Sequence, residues 1–521
     1  MTRRWLAGIV TISMAAVGGC TVGPDYARPA PSTLPGADAQ VFSAAPDRAP
    51  GASEAAGVAG TAGVPGPDGA WWSVLGDPLL DALVQEALDN NLDLEAARAR
   101  LRLADAARRS VAAQGRPSLA ASASGERARA SETTPEGALA NAGLADLTQS
   151  RYGSFLSASW EVDLFGGVRR RTEAADAQIG EAAASVAGVR LGVISSVART
   201  YVELRGAQRR LALAEESVEL QEQTARRVAD LERVGLGSKL DAERARALVA
   251  GTRARLAPLR TQIRSAVHRL SVLTGQPPSS LDVRLLAGRD AAPSRLADPP
   301  DLVPTGLPSE LLQRRPDLLA AERRLAASTA EVGVATANLY PRFFLTGAGG
   351  FDSTSFTDLF ESASRTWRLG PSISWPIFQG GRLRAGVAAA EAGRDEAWAA
   401  YRQAVLIAVE DVENALVAYA EEELRRRALA DAAASSIRAT ELARVVYDQG
   451  LESFLTVLDA ERTQVDVEDQ LVASETGVLL GLIRLYAAVG GGWQGESSQV
   501  VSDRAAEEVA AEADGEEEVA P

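Results

Sequence analysis

Few side chains in this 521-residue sequence could do covalent chemistry, and those few lack company. His268 is the only histidine. It sits beside Arg269 in a helical stretch, where a surface or packed imidazole accounts for it, and a metal centre would need partners it does not have. Glu410, Asp411 and Glu413 imitate a pair of catalytic carboxylates, yet on a helix they make a solvated or lumen-lining face. Gly347-Ala348-Gly349-Gly350 has no lysine after it and lies inside an alternating segment. Gly490-Gly491-Gly492 precedes a tail rather than a helix, so neither run cradles a phosphate. The expectation is a protein that is not an enzyme and holds no cofactor or metal. Three residues, Leu455, Asp459 and Arg462, are spaced by four and three and so share one helical face. Two Gly–Ser breaks, Gly235-Leu236-Gly237-Ser238 and Gly450-Leu451-Glu452-Ser453, separate long helical stretches. Glycine there lets the chain leave a helix through positive φ, and serine can cap the next one.

The elements that carry these residues are written twice. Asp93 to Pro117 reappears as Asp317 to Pro341 at an offset of 224, and further on the offset is 215, with Ser157–Trp160 answering Ser372–Trp375. A repeat this long is a duplicated domain-sized unit, residues 71–300 and then 301–493, rather than a solenoid motif. Helical periodicity without proline runs from about Arg169 to Arg233 and again from about Arg382 to Asp448. Return helices at 239–274 and 454–489 follow the breaks, and their seven-residue apolar repeat is the coiled-coil signature. Pro258 predicts a kink in the first return helix alone. Shorter helices, about Pro78–Gln114 and Ser309–Asn338, open the two halves.

Between the opening and long helices lie segments of another texture, near 118–129, 151–164, 342–352 and 366–378. Small, β-branched and aromatic residues alternate there, which predicts two hairpins. Pro371 counts against the last strand. Their length suits a transmembrane β-strand of about 9–11 residues. Four strands cannot close in lipid, where open sheet edges would leave backbone groups unpaired. Several chains must therefore pool their strands above a joint tube of helices, in a number the sequence leaves open.

The ends say where the chain lives. Arg3 and Arg4, the apolar run Trp5–Val17 and the small residues Gly18-Gly19 read as a signal peptide over 1–19. Cys20 is the only cysteine, so no disulfide framework forms within one chain. Val17-Gly18-Gly19-Cys20 resembles a bacterial lipobox, which implies an acylated (palmitate-bearing) Cys20 as the mature N-terminus of an envelope lipoprotein. Thr21 after it implies sorting to the outer membrane. Residues 20–70 read as an Ala/Pro/Gly-rich extended arm, and 494–521 as a C-terminal segment with an acidic disordered tail. The formal net charge of −15 argues against nucleic acid as a partner. Beyond the signal no apolar run of eighteen residues occurs, so no membrane-crossing helix is expected.

Thr21-Val-Gly-Pro-Asp-Tyr26, Trp71-Trp72, Leu75-Gly-Asp-Pro78, Arg315-Pro-Asp-Leu318 and Leu339-Tyr-Pro341 form an ordered set with Leu455–Arg462 and Leu485–Trp493. From about Cys20 to Trp493 the chain resembles the outer-membrane channel lipoproteins of tripartite RND efflux systems, the OprM/NodT branch of the TolC superfamily. The resemblance implies a mainly α fold with a β-barrel. A homotrimer would form a 12-strand barrel in the outer membrane and a long α-helical tunnel in the periplasm. It implies a passive exit duct for small molecules, fed by an inner-membrane RND pump and a periplasmic adaptor. It implies adaptor-contact tips at Gly235, Leu236, Ser238, Gly450, Leu451 and Ser453, and a closed periplasmic gate at Leu455, Asp459 and Arg462. A lone surface Asp–Arg pair is worth only about 0–1 kcal/mol, but three copies at one axis repel unless arginines pair the carboxylates. An outer-membrane channel for type I protein secretion would share the fold. A lipid-anchored coiled-coil structural lipoprotein would have no need of the hairpins.

Overall fold

The computed structural model describes residues 21–37, 42, 69–143, 146–286 and 308–493. The signal segment, Cys20, most of the arm and the acidic tail lie outside them. In chain order the principal elements are α1 (Pro78–Asn90), α2 (Leu92–Ala113), β1 (Ser118–Arg129), β2 (Thr148–Val162), α3 (Gly167–Arg233), α4 (Lys239–Ala254), α5 (Leu256–Leu273), α6 (Pro316–Ala337), β3 (Arg342–Ser353), β4 (Arg365–Ser374), α7 (Arg382–Asp448) and α8 (Phe454–Ala488). Both α3 and α7 have 67 residues, about 100 Å of helix.

Three expected helices are broken, each at an identifiable residue. The first opening helix divides at Asn91, whose side-chain oxygen accepts from the N–H groups of Asp93 (3.0 Å) and Leu94 (3.1 Å) and so caps α2. Its amide also donates to the Leu273 carbonyl at 2.9 Å. The second divides at the duplicated position, Arg315, because Pro316 starts α6 and has no N–H to continue a helix. The first return helix is interrupted at Arg255 rather than at Pro258 itself. Proline lacks the N–H that would reach the carbonyl four residues back, so the ladder fails upstream of the ring. With no proline, α8 runs 35 residues unbroken.

The four strands make one antiparallel sheet in the order β1-β2-β3-β4. The two hairpins thus join through a β2–β3 seam that unites the repeats. Their registers are copies: Ser118↔Ser159 in the first hairpin becomes Arg342↔Ser374 in the second, shifted by the two sequence offsets (342 − 118 = 224; 374 − 159 = 215). β4 ends at Ser374, short of the expected Phe378, and Pro371 lies within it on an outer strand of the sheet.

The chain forms two compact units. One contains the sheet, with Arg102–Glu181, Ala321–Tyr401 and the N-terminal residues to Arg28. The other contains Pro29–Leu101, Ala182–Ala320 and Arg402–Pro521. In the second unit Trp71, Leu80, Leu83, Ile194, Tyr201, Leu270 and Tyr486 centre a large apolar core. Trp71 stacks on Tyr486 with ring centroids 5.3 Å apart, and its indole N–H donates to the Gly491 carbonyl (3.3 Å). A smaller cluster of Val228, Ala242, Ala245, Ala443, Phe454, Val457 and Leu458 lies next to the Gly–Ser turns. Contrary to the sequence expectation, α3 and α8 each carry a window apolar and long enough to cross a membrane. Ile194, Val197, Leu479 and Leu482 from these helices are instead buried in the large core.

Candidate functional site

The sheet separates apolar from polar side chains across its two faces. Directly opposed residues of an antiparallel pair point the same way, so the registers sort every strand. Away from the loop ends one face carries Leu119, Ala121 and Ala123, then Leu156, Ala158, Trp160 and Val162, then Phe343 and Leu345, then Trp367, Leu369, Pro371 and Ile373, with Ser154 among them; towards the loops the same face carries Arg127, Arg129, Ser150, Ser353 and Arg365. The other carries Ser118, Ser122, Ser124 and Glu126, then Arg151, Ser157, Ser159 and Glu161, then Thr346 and Asp352, then Thr366, Arg368, Ser372 and Ser374, with Phe155 and Phe344 among them. Large apolar side chains on the first face stand in the open: Trp367 is 81% exposed and Leu369 71%. Strands of 10 to 15 residues with this alternation have the form of lipid-facing barrel strands. Two tryptophans mark the helix end of that face. Trp160 donates its indole N–H to the Gly115 carbonyl at 2.9 Å, and Trp375 to the Leu339 carbonyl at 3.1 Å. The donors are 215 apart and the acceptors 224 apart, so both repeats make the same bond. An indole with an apolar body and a bonded N–H suits a membrane–water boundary.

The segment after Cys20 is held beside this boundary. Val22 donates its backbone N–H to the Phe165 carbonyl (3.3 Å), just beyond β2. Arg170, buried on α3, donates to the Val22 carbonyl (3.1 Å) and to the Asp25 carboxylate (2.6 Å). Tyr26 donates its hydroxyl to Glu322 on α6, and Arg323 grips the same carboxylate through two bonds of 2.7 Å. Burial opposes ionisation of Glu322, but the bonds from Arg323 and Tyr26 outweigh it and hold its carboxyl below the usual range. Burial pushes the Tyr26 phenol up, and its bond to Glu322 adds to this.

At the turns, Gly235 (φ +78°) and Gly450 (φ +71°) end α3 and α7 with the same paired bonds. Leu236 N–H reaches the Leu231 carbonyl (2.9 Å) and Leu451 N–H reaches Val446 (3.1 Å), each beside a bond from the glycine N–H, to Glu232 (3.0 Å) and to Tyr447 (2.8 Å). Ser238 accepts from Leu240 N–H at 3.1 Å and caps α4, whereas Ser453 opens α8 without a side-chain capping bond. Leu236 and Leu451 are 79% and 70% exposed. The turns are chemically unequal: a side chain at Gly237 would drive its Cβ to 2.8 Å from the Glu232 nitrogen, while the corresponding Glu452 accepts a bond from Thr456 (3.3 Å).

Leu455, Asp459 and Arg462 stand exposed along one side of α8. Among the described residues of one chain, neither Asp459 nor Arg462 finds an ion-pair partner, and they do not pair with each other. Behind them the sequence reading missed Glu461, which is 3% exposed among Phe454, Val457 and Leu458. It accepts from Arg444 of α7 at 2.8 and 3.1 Å and from Thr224 of α3 at 3.3 Å. The sequence offers only a weak signal for it, an acid at helical spacing from Val457, Leu458 and Val465, and says nothing of Arg444 or Thr224. Two further ion pairs hold α8 to α3: Arg210 meets Asp469 at 2.7 and 2.8 Å, and Arg209 meets Glu475 at 2.5 Å. Arg255, at the break between α4 and α5, meets Asp466 of α8 at 2.7 Å. Of the first-considered chemical groups, Asp411 receives a 3.0 Å ion pair from Arg315. No grouping of potential metal ligands occurs among the described residues.

The model of the family described as outer membrane efflux protein matches residues 83–276 and again 307–491. The two matches start 224 residues apart and end 215 apart (307 − 83; 491 − 276), so the family unit is the repeat read from the sequence. The chain belongs to this family. It is 34% identical over 513 residues to outer membrane protein OprJ of Pseudomonas aeruginosa, covering 96% of this chain and 98% of that one. Nodulation protein T of Rhizobium leguminosarum bv. trifolii is 31% identical over 455 residues, 86% of this chain and 89% of its own. The solved structure of the outer-membrane channel OprN superposes with a TM-score of 0.79 at 36% identity, over 91% of this chain and all of that one. This efflux protein is the outer-membrane channel component of an RND-type tripartite system, mainly helical with an antiparallel sheet, and it extends into the periplasm.

Proposed function

We propose that three copies of the chain form a passive exit duct. Their twelve strands close a barrel in the outer membrane, and their long helices continue it as a periplasmic tunnel. The sorted faces of the sheet carry this reading: a four-stranded sheet that is apolar on one side and polar on the other, with two outer strands, suits lipid only when it is closed by further copies. Leu455, Asp459 and Arg462 act as the periplasmic gate. Their exposure in one chain supports this, because a contact made between copies leaves the single chain unpartnered there. The turns at Gly235, Leu236 and Ser238 and at Gly450, Leu451 and Ser453 receive the periplasmic adaptor, with exposed leucines as the apolar contacts. Cys20 carries the acyl chains. The docking of Thr21–Tyr26 next to the tryptophan boundary supports a lipid at that level. Native mass spectrometry of detergent-extracted protein should give threefold assemblies that conduct ions in planar bilayers. A stable monomer with its strand signal intact would overturn the reading.

A further inference from the structure

The two faces of the sheet differ in charge as well as in polarity. On the polar face acids and bases are mixed: Glu126, Glu161 and Asp352 stand with Arg151, Arg342 and Arg368. There Arg151 donates to both carboxylate oxygens of Asp352, at 3.0 and 2.5 Å. On the apolar face the four strands carry no acid. The charged residues of that face are Arg127, Arg129 and Arg365, and all three lie at the loop end. Glu132 meets Arg129 at 3.0 Å, with both side chains open to solvent. Arg127 and Arg365 are exposed and have no ion-pair partner among the described residues. A chain of formal net charge −15 does not acquire such a one-sided cationic edge from its composition.

Aromatic rings fix the level of these arginines. Phe356 and Phe360, in the loop between β3 and β4, pack edge-on against Tyr152 and Phe351, each with ring centroids 5.5 Å apart. Tyr152 and Phe351 lie on the apolar face, so with Trp367 they make a second aromatic level opposite the one at Trp160 and Trp375. Trp160 and Tyr152 are eight residues apart on β2 (160 − 152 = 8), about 26 Å of strand and about 20 Å of thickness at the usual barrel tilt. An outer-membrane barrel has an apolar band of about 25 Å. Arg127 is the next outward residue of β1 after Gly125, the partner of Tyr152, and Arg365 is the first residue of β4. Both therefore stand just past the band, on the side away from the helices. We infer that this edge docks the phosphate groups of the phosphorylated glycolipid in the outer leaflet. A guanidinium grips a phosphate through two parallel bonds, and neither Arg127 nor Arg365 is given a carboxylate by its own chain. β1 and β4 are the outer strands, so closure by further copies brings Arg365 of one copy towards Arg127 and Arg129 of the next. Several guanidiniums then face one multiply phosphorylated headgroup. The occupant is a lipid rather than free phosphate, because the arginines continue an apolar, aromatic-rimmed face fit to lie against acyl chains.

The inference rests on the closed-barrel part of the proposed function, and lipid titration of the full-length protein in detergent tests it. The probes are purified lipopolysaccharide, the same glycolipid dephosphorylated, and phosphatidylglycerol. Wild type should bind the intact glycolipid at least about tenfold more tightly than either of the others. Arg127→Gln combined with Arg365→Gln should abolish that preference while conductance in planar bilayers stays at the wild-type value. Arg342→Gln combined with Arg368→Gln removes the same charge from the polar face and should keep the preference. If the first double variant fails to assemble, its two single substitutions carry the same comparison. Equal binding of intact and dephosphorylated glycolipid, phosphatidylglycerol bound as tightly, or equal loss in both double variants overturns the docking edge. Each of those results leaves the duct standing. A wild-type protein that stays monomeric and conducts no ions overturns the closed barrel itself.

Discussion

At the scale of single residues the decisive contrast lies on α8. Leu455, Asp459 and Arg462 were legible because an i, i+4, i+7 spacing puts three side chains on one face whatever else the helix does. Glu461 was not, since only three dimensions show it surrounded by Val457, Leu458 and the guanidinium of Arg444. The two sets differ in their surroundings: Glu461 ties α8 to α7 and α3 of its own chain, and the exposed set makes no ion pair among the described residues of that chain, as the proposed gate requires. Arg462→Ala and Asp459→Ala should each remove charge-assisted contacts of about 1.5–3 kcal/mol where water is partly excluded, raising the open population about tenfold or more. Leu455→Ser should widen the apolar constriction. Single-channel conductance in planar bilayers reads both effects. Wild-type conductance in all three normally assembled variants would place the closure elsewhere.

At the scale of elements, the strands were legible as textures but not as a sheet. The first strand's bounds, 118–129, follow from the small and polar residues between Pro117 and the next loop. Nothing local reports that Trp160 will lie beside Leu345, because that pairing joins residues far apart in sequence. Helix breaks divide in the same way. Pro258 announces a disturbance but not its position at Arg255, and Asn91 breaks its helix through a bond to Leu273 that no short window contains. The docked N-terminal segment offers a test with a pH signature. Glu322 has its carboxyl held below the ordinary value in the folded protein, so its ionised form stabilises the fold above that ordinary value, about 4.3. Glu322→Gln should lower the thermal midpoint at pH 7. The difference should shrink as the pH falls below about 4 and vanish beneath the lowered folded value. A pH-independent difference would mean that only packing around Tyr26 was lost.

For the whole molecule, the proposed barrel and the proposed acyl group on Cys20 would be two separate holds on the membrane. Closure satisfies the backbone of every strand, whereas a single lipid modification supplies weaker attachment. A Cys20→Ala protein given a substitute cleavable signal should therefore still fractionate with outer membranes and resist extraction by salt. Recovery as a soluble periplasmic protein would mean that the strands do not insert unaided.

The β2–β3 seam also sets a timetable. The first hairpin can fold as soon as Val162 has been made, but its inner strand waits for Arg342–Ser353, well over a hundred residues later. Through that interval β2 offers unpaired backbone and exposed apolar residues such as Trp160, the condition under which strands recruit wrong partners. A chain with this strand order spends its early life needing escort, and its yield in cells should depend on periplasmic holding chaperones more steeply than its finished stability would indicate.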